Sequence, residues 1–322
     1  VMAAMDTEDG GRTLALGRNL VSYVIAADLV GLDPQQDAEF RAWLRETLNE
    51  TLDGNTLVST HEDRPNNWGT HAGAARAAVA AYLGDRAELE RTAEVFKGWL
   101  GDRSSYAGFD FGDLSWQADP SNPVGINPEG AMKQGHSIDG ALPDDMRRGG
   151  SFTWPPSYTA YAWEAMQGAI VQAELLYRQG YDTWQWEDQA LLRAAEFLYS
   201  IGWQPSGDDT WQPHLINARY DTNFSNSASA TSGKNMGWTA WTHQYADPAG
   251  SQVPVASAAA DVGLLALYAN AESGTMAGET PSVPSRLASA SDVSPLYDTP
   301  DAGATDAALT DYVADRLLPY LT

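Results

Sequence analysis

Two stretches of the sequence gather side chains suited to chemistry on an anionic substrate. The first is Arg64-Pro65-Asn66-Asn67-Trp68-Gly69-Thr70-His71, which opens a small-residue helical pattern continuing to Leu83. Asn66 or Asn67 is a natural helix cap, since an Asn side chain accepts a hydrogen bond from the exposed backbone N–H groups of a first turn. Asn67 and His71 are four residues apart and share one helix face. An amide beside an imidazole at the positively polarised end of a helix is a site for a carboxylate. The same spacing fits an ordinary Asn cap followed by a His packed between helices.

The second stretch runs from Asp139-Gly140-Ala141-Leu142-Pro143-Asp144-Asp145 through Arg147 and Arg148 to Trp154, Tyr158 and Tyr161. A guanidinium offers a carboxylate two parallel N–H donors, so Arg147 and Arg148 are candidates for neutralising one. Tyr158 is expected in the first turn of the next helix, close enough to meet them. The bland alternative pairs the two arginines with Asp144 and Asp145. His136 precedes this block and is a candidate for lining the same cleft. His214 and His243 also lie near aromatic residues in polar segments.

Helices must position these groups. Apolar periodicity predicts helices over residues 12–29, 37–52, 68–83, 86–100, 156–180, 186–201 and 255–270, with a linker-like segment at 272–305 and a terminal helix at 306–321. Strand alternation is absent except for a short piece at 104–110. Two long polar, aromatic segments, 101–150 and 202–237, interrupt the helices, and loops of that length usually carry function. The expected fold class is all-α. Helix hairpins joined by tight turns at one end and long loops at the other suggest an (α/α) toroid, an incomplete barrel forming one domain over residues 1–322.

Composition narrows the partners. Nineteen basic against 43 acidic residues give a formal net charge of −24, which points away from nucleic acid and anionic membranes. No apolar run is expected to reach membrane-spanning length. A polyanionic substrate would be repelled at long range, so a site for one requires a local concentration of Arg, Lys or His. With no cysteine, disulfides and thiolate metal sites are excluded. Twelve Trp and 14 Tyr against seven Phe favour flat rings with a polar handle, as sugar-binding clefts use. Trp68, Trp116, Trp154 and Tyr161 are the candidates for such contacts.

The block Asn66-Asn67-Trp68-Gly69-Thr70-His71, followed by an Ala-rich helix ending Tyr82-Leu83-Gly84-Asp85, resembles the helix start of alginate-lyase-like polysaccharide lyases. Asp139-Gly140-Ala141-Leu142-Pro143, then Asp145, Arg148 and Tyr158-Thr159-Ala160-Tyr161, is similar to their second signature. The resemblance implies an (α/α) toroid and metal-free, cofactor-free cleavage of an anionic polysaccharide by β-elimination. By position it makes Asn67 the carboxylate neutraliser, Arg148 a charge stabiliser and Tyr158 the proton-transferring residue. Two features depart from the family pattern. Trp68 stands where the family places its catalytic His, so the nearest is His71, and Arg148 lies about three residues farther from Tyr158.

The chemistry suits those groups. The C5 proton of a uronate becomes acidic only when the adjacent carboxylate is neutralised, and donors from Asn67, Arg148 or a His would stabilise the enolate-like intermediate. A base then takes the C5 proton and an acid protonates the departing O4, with His71, His136 and Tyr158 as candidates. Asn66, Trp68, His136, Arg147, Trp154, Tyr161 and Trp116 are expected to bind substrate. Two other readings stay open: a glycoside hydrolase using paired Asp139, Asp144 or Asp145, and a non-catalytic glycan binder presenting Trp116, Trp154 and Trp238. The expected setting is a secreted or periplasmic bacterial protein acting as a monomer.

Overall fold

The structure, a computed structural model, describes residues 1–225. The helices expected at 255–270 and 306–321, the linker at 272–305, Trp238 and His243 lie outside the described residues. Those described are mostly helical: α1 (Thr13–Val30), α2 (Pro34–Thr47), α3 (Leu57–Asp63), α4 (Asn67–Leu83), α5 (Arg86–Leu100), α6 (Pro143–Met146), α7 (Tyr161–Arg178), α8 (Trp186–Ser200) and α9 (Gln212–Tyr220). Two-residue strands β1 (Met132–Lys133) and β2 (His136–Ser137) form a small antiparallel hairpin.

Local chemistry sets most boundaries. Asp33 caps α2 through the N–H groups of Gln35 and Gln36, with Pro34 in the first turn. Thr56 and Ser59 form a capping box on α3. Gly84 ends α4 in the left-handed region at φ 70°, and Asp85 N–H closes back on Ala80 O at 2.9 Å. Asp85 then caps α5 through Glu88 N–H at 3.0 Å, so one dipeptide stops a helix and starts the next.

Three expectations need correction. α7 begins at Tyr161 rather than 156, because the residue before a proline is driven out of the helical region and Pro155-Pro156 keeps the chain extended. Tyr158 is therefore in the approach to α7, not its first turn. The segment 202–237 contains α9, whose Leu215 and Ile216 are buried. Residues 104–110 form no strand; they leave a turn on Asp102 and pack against α3, with Asp110 N–H on Asp63 O and the Tyr106 hydroxyl on Glu62 O.

The core is organised around α4, every residue of which from 69 to 82 is buried. Its principal neighbours are α7 and α1, with α3 and α5 covering the rest. Glycines let the backbones approach. A Cβ on Gly17 of α1 would stand 3.1 Å from Ala72 N, and one on Gly168 of α7 would stand 2.5 Å from His71 N. By length and composition α1 would suffice to span a membrane, contrary to the sequence expectation. In the fold it buries Leu20, Val21, Val24 and Ala27 in the core and pairs Arg18 with Glu164 of α7.

Polar groups in this core are tied together. Arg76 of α4, 2% exposed, pairs with Glu62 at 2.9 Å and with Glu88, and Glu62 also takes Arg91 at 3.0 Å. His61, 3% exposed, has Nε2 at 3.1 Å from Gln172 Nε2 and Nδ1 at 3.4 Å from Arg76. Burial, then the charges of Arg76 and Arg91, holds the His61 pKa well below its ordinary value.

Two outcomes follow from this packing. Gly168→Ala should lower stability by about 1–3 kcal/mol in urea denaturation, because overpacking against the α4 backbone outweighs the roughly 1 kcal/mol that Ala gains over Gly in a helix. His61 is neutral in the fold and binds a proton when unfolded below its ordinary pKa of 6.5, so its burial costs stability as pH falls through that value. The difference in unfolding free energy between the wild type and His61→Gln should therefore shift by up to about 1.4 kcal/mol per pH unit below that point. A pH-independent difference would contradict the neutral, buried assignment.

Candidate active site

The two blocks singled out in the sequence meet at the N-terminal end of α4. Asn66 is the cap: its Oδ1 accepts from Trp68 N–H at 3.1 Å while its Nδ2 donates to Asp144 Oδ2 at 2.9 Å. Asn67 N–H donates to Asp145 Oδ1 at 3.2 Å. Both bonds join residues 78 positions apart. The Asn67 side-chain amide makes no hydrogen bond to another described residue.

Asp144 and Asp145 belong to α6, and both are buried. Burial, reinforced by the neighbouring Asp144 carboxylate, pushes the Asp145 carboxyl well above the ordinary carboxylate range, against opposing contributions from Asn67 N–H, Arg148 and Arg147. Asp145 thus sits beneath Asn67 and within electrostatic reach of Arg148. The two arginines differ in fate. Arg147 lies bidentate on Asp144, with Nε at 2.7 Å and Nη2 at 3.1 Å, the pairing anticipated for one of them. Arg148 is exposed, its guanidinium 4.4 Å above the Tyr161 ring, and no carboxylate pairs with it among the described residues.

Tyr158 is 58% exposed, its ring edge-on to Trp203 at 5.3 Å. Gly149 brings it back to Arg148. A Cβ on Gly149 would fall 2.3 Å from Ser157 O, so the chain leaving Arg148 abuts the chain entering Tyr158 and the residues between loop outward. The extra separation noted in the sequence is taken up there. Trp154, 37% exposed, stacks on His136 of β2 at 4.5 Å and 11°, placing both on the hairpin side of this loop. Trp68 carries the Arg64 guanidinium 5.4 Å from its ring.

Other candidates lie elsewhere. His71 is fully buried between α1 and α7, where Gly17 and Gly168 press on its backbone, so its imidazole does not reach a bound substrate. The core reading of the Asn67–His71 spacing is the one the fold adopts. Trp116 is 1% exposed and donates to Gly150 O at 3.0 Å; it supports the loop rather than a sugar. Arg147 is committed to Asp144. His214 is half-buried in α9, where burial lowers its pKa. The sequence analysis did not single out Trp203 or Lys133, which lies 5.8 Å from the Phe152 ring. Arg64 opened the first block, but its contact with Trp68 is made across the break between α3 and α4, where helical spacing gives no signal, and nothing in the sequence pairs Trp203 with Tyr158.

The acidic residues offer little to a hydrolase. Asp139 accepts from Arg193 Nε and Gly130 N–H, both at 2.8 Å, Asp144 is fully engaged, and Asp145 is 1% exposed. Glu164, Asp208 and Asp209 bring carboxylate oxygens within 4.8 Å of one another, a spacing a metal ion tolerates. Arg18 already pairs with Glu164 and lies within electrostatic reach of Asp208 and Asp209, so the chain itself supplies a cation there.

Comparison with known proteins gives a family. The family model described as alginate lyase matches residues 9–104 and 128–206, together more than half of the 322 residues. No curated protein and no solved structure matches the chain. The matched spans contain Asn66, Asn67, Asp144, Asp145, Arg148 and Tyr158, the residues that converge at the head of α4 and beside Gly149. The chain belongs to the alginate lyase family and is a polysaccharide lyase.

Proposed function

We propose that the chain cleaves a uronate-containing anionic polysaccharide, of the alginate or glucuronan type, by β-elimination, leaving a 4,5-unsaturated uronate on the new chain end. The observation that carries this reading is the junction of the two blocks through the Asn66–Asp144 and Asn67–Asp145 hydrogen bonds, which brings the Asn67 amide, itself 2% exposed, together with the turn that bears the exposed Arg148 guanidinium. Those two donors neutralise the uronate carboxylate, and the C5 carbanion formed on proton removal spreads its charge onto it. Tyr158 transfers the proton, as base toward C5, as acid toward O4, or both in turn. His136, just ahead of the second block, is the remaining imidazole near it, and with Trp154 it forms a flat face for a neighbouring sugar. Asn66 holds Asn67 in place, while Trp68 and Tyr161 flank the carboxylate site.

The cations at this edge supply the local positive charge that a chain of net charge −24 needs to hold a polyanion. Arg64 and Arg148 both lie over aromatic rings, a placement that orients a guanidinium without neutralising it. The same reading covers the architecture. It makes the helix hairpins of the described residues part of an (α/α) toroid acting as a monomer. A polymeric substrate does not cross a membrane, so a secreted or periplasmic setting follows.

Replacing Tyr158 with Phe keeps the ring against Trp203 and removes only the hydroxyl, so kcat on alginate or glucuronan should fall about 10²–10⁴-fold with an unchanged thermal midpoint. The reaction is followed by the ultraviolet absorbance of the new C4–C5 double bond. Reducing ends released without that absorbance would instead identify a hydrolase, and neither signal a binder. Gly149→Ala should lower kcat in the same assay by about 10²-fold, because its Cβ displaces Ser157 and with it Tyr158. Full activity in either variant would remove Tyr158 from the mechanism.

A further inference from the structure

We propose that Asp144 is the positioning residue of this lyase, a buried clamp that fixes Asn67 and Arg148 relative to one another and offsets the charge of Arg147. The inference rests on the roles proposed above for Asn67 and Arg148. It assigns Asp144 no contact with substrate.

The carboxylate is 2% exposed and uses both oxygens twice. Its Oδ1 accepts from Gly112 N–H at 3.2 Å and Arg147 Nε at 2.7 Å. Its Oδ2 accepts from Asn66 Nδ2 at 2.9 Å and Arg147 Nη2 at 3.1 Å. One side chain therefore ties together three segments: the head of α4, the long segment after α5, and the turn that carries both arginines. The hold on Asn66 has a second effect. With Nδ2 committed to Asp144, Asn66 must present Oδ1 to Trp68 N–H, so the same bond orients the cap on which Asn67 follows.

The clamp also sorts the arginines. Arg147 spends its Nε and one Nη2 hydrogen on the buried carboxylate, which fixes its orientation and offsets its charge, and removing one partner would leave an uncompensated buried charge. Arg148, exposed and with no carboxylate partner among the described residues, is the cation whose charge is not offset. Gly112 completes the arrangement. It is exposed, yet a Cβ there would lie 2.4 Å from Arg147 Cζ, so the absence of a side chain is required by the clamped guanidinium rather than by backbone conformation.

Asp144→Asn keeps the volume but turns one acceptor oxygen into a donor that must face either Asn66 and Arg147 or Gly112 and Arg147. On alginate and glucuronan, kcat should fall by about 10²-fold, the scale of a small misplacement of catalytic groups, while KM changes far less. Exchanging the partners, Asn66→Asp with Asp144→Asn, restores the donor–acceptor pair between 66 and 144 and keeps a competent cap at position 66, but leaves the new amide facing Arg147 Nη2; part of the lost kcat should return. Gly112→Ala reaches the clamp from the surface and should lower kcat in the same direction with the thermal midpoint retained. Asn67→Ala and Arg148→Ala, assayed in parallel, separate the two levels of the argument. If they are inactive while folded Asp144→Asn keeps wild-type kcat, the clamp is overturned and the site stands. If they remain fully active, the site reading fails and the clamp with it. Should Asp144→Asn not fold, Gly112→Ala decides, and unchanged kcat there overturns the proposal.

Discussion

The burial of α4 on all sides is the constraint from which the rest follows. A helix enclosed along its length cannot send the orphan N–H groups of its first turn to water, and an unsatisfied buried donor costs about 1–3 kcal/mol. The chain meets that requirement with side chains from far away in sequence. Asn66 supplies one acceptor and Asp145 another, and Asp144 secures Asn66. Satisfying those donors obliges α6 to sit at the head of α4, and the turn after α6 carries Arg147 and Arg148 with it. The site thus grows out of a capping problem in the core.

The same constraint explains how so acidic a chain accommodates a polyanion. The two acidic side chains at the junction itself are internal: Asp144 is consumed by Asn66, Gly112 and Arg147, and burial favours the uncharged form of Asp145. Their charge does not reach the cleft as it would from the surface. Arg64 and Arg148 rest on aromatic faces, which orient them without cancelling them. The field that matters is set over a few ångströms, and beyond about 8 Å salt screens the rest of the surface.

Much of this was legible in the sequence, for identifiable reasons. The bounds of α4 follow from the Asn66 cap and the Gly84 stop, and the α4–α5 turn from Gly84-Asp85, because these are local backbone chemistry. The partnership of the two blocks came from resemblance, not from spacing, since no periodicity links residues 78 positions apart. His71 was misplaced because helical spacing gives a face but not what covers it, and α4 is covered on every face. Trp116 misled because burial of an aromatic residue in a loop depends on tertiary contacts that composition does not encode. α3, with seven residues, is too short to generate a period, and the start of α7 was obscured by opening the helix at Pro156.

The contact of Gly149 with the Ser157 carbonyl carries a consequence for how such sites diverge. Because the two ends of the intervening segment are pinned side by side, its length is decoupled from the geometry of the residues it connects. Lengthening a loop whose ends are already fixed adds a cost that grows only with the logarithm of its length, a fraction of a kcal/mol for a few residues. Three additional residues between the arginine and the tyrosine are nearly neutral to the fold, yet they lengthen the lobe that bears Trp154 against His136. Residues 150–156 can therefore change in length with little effect on how Gly149 meets Ser157.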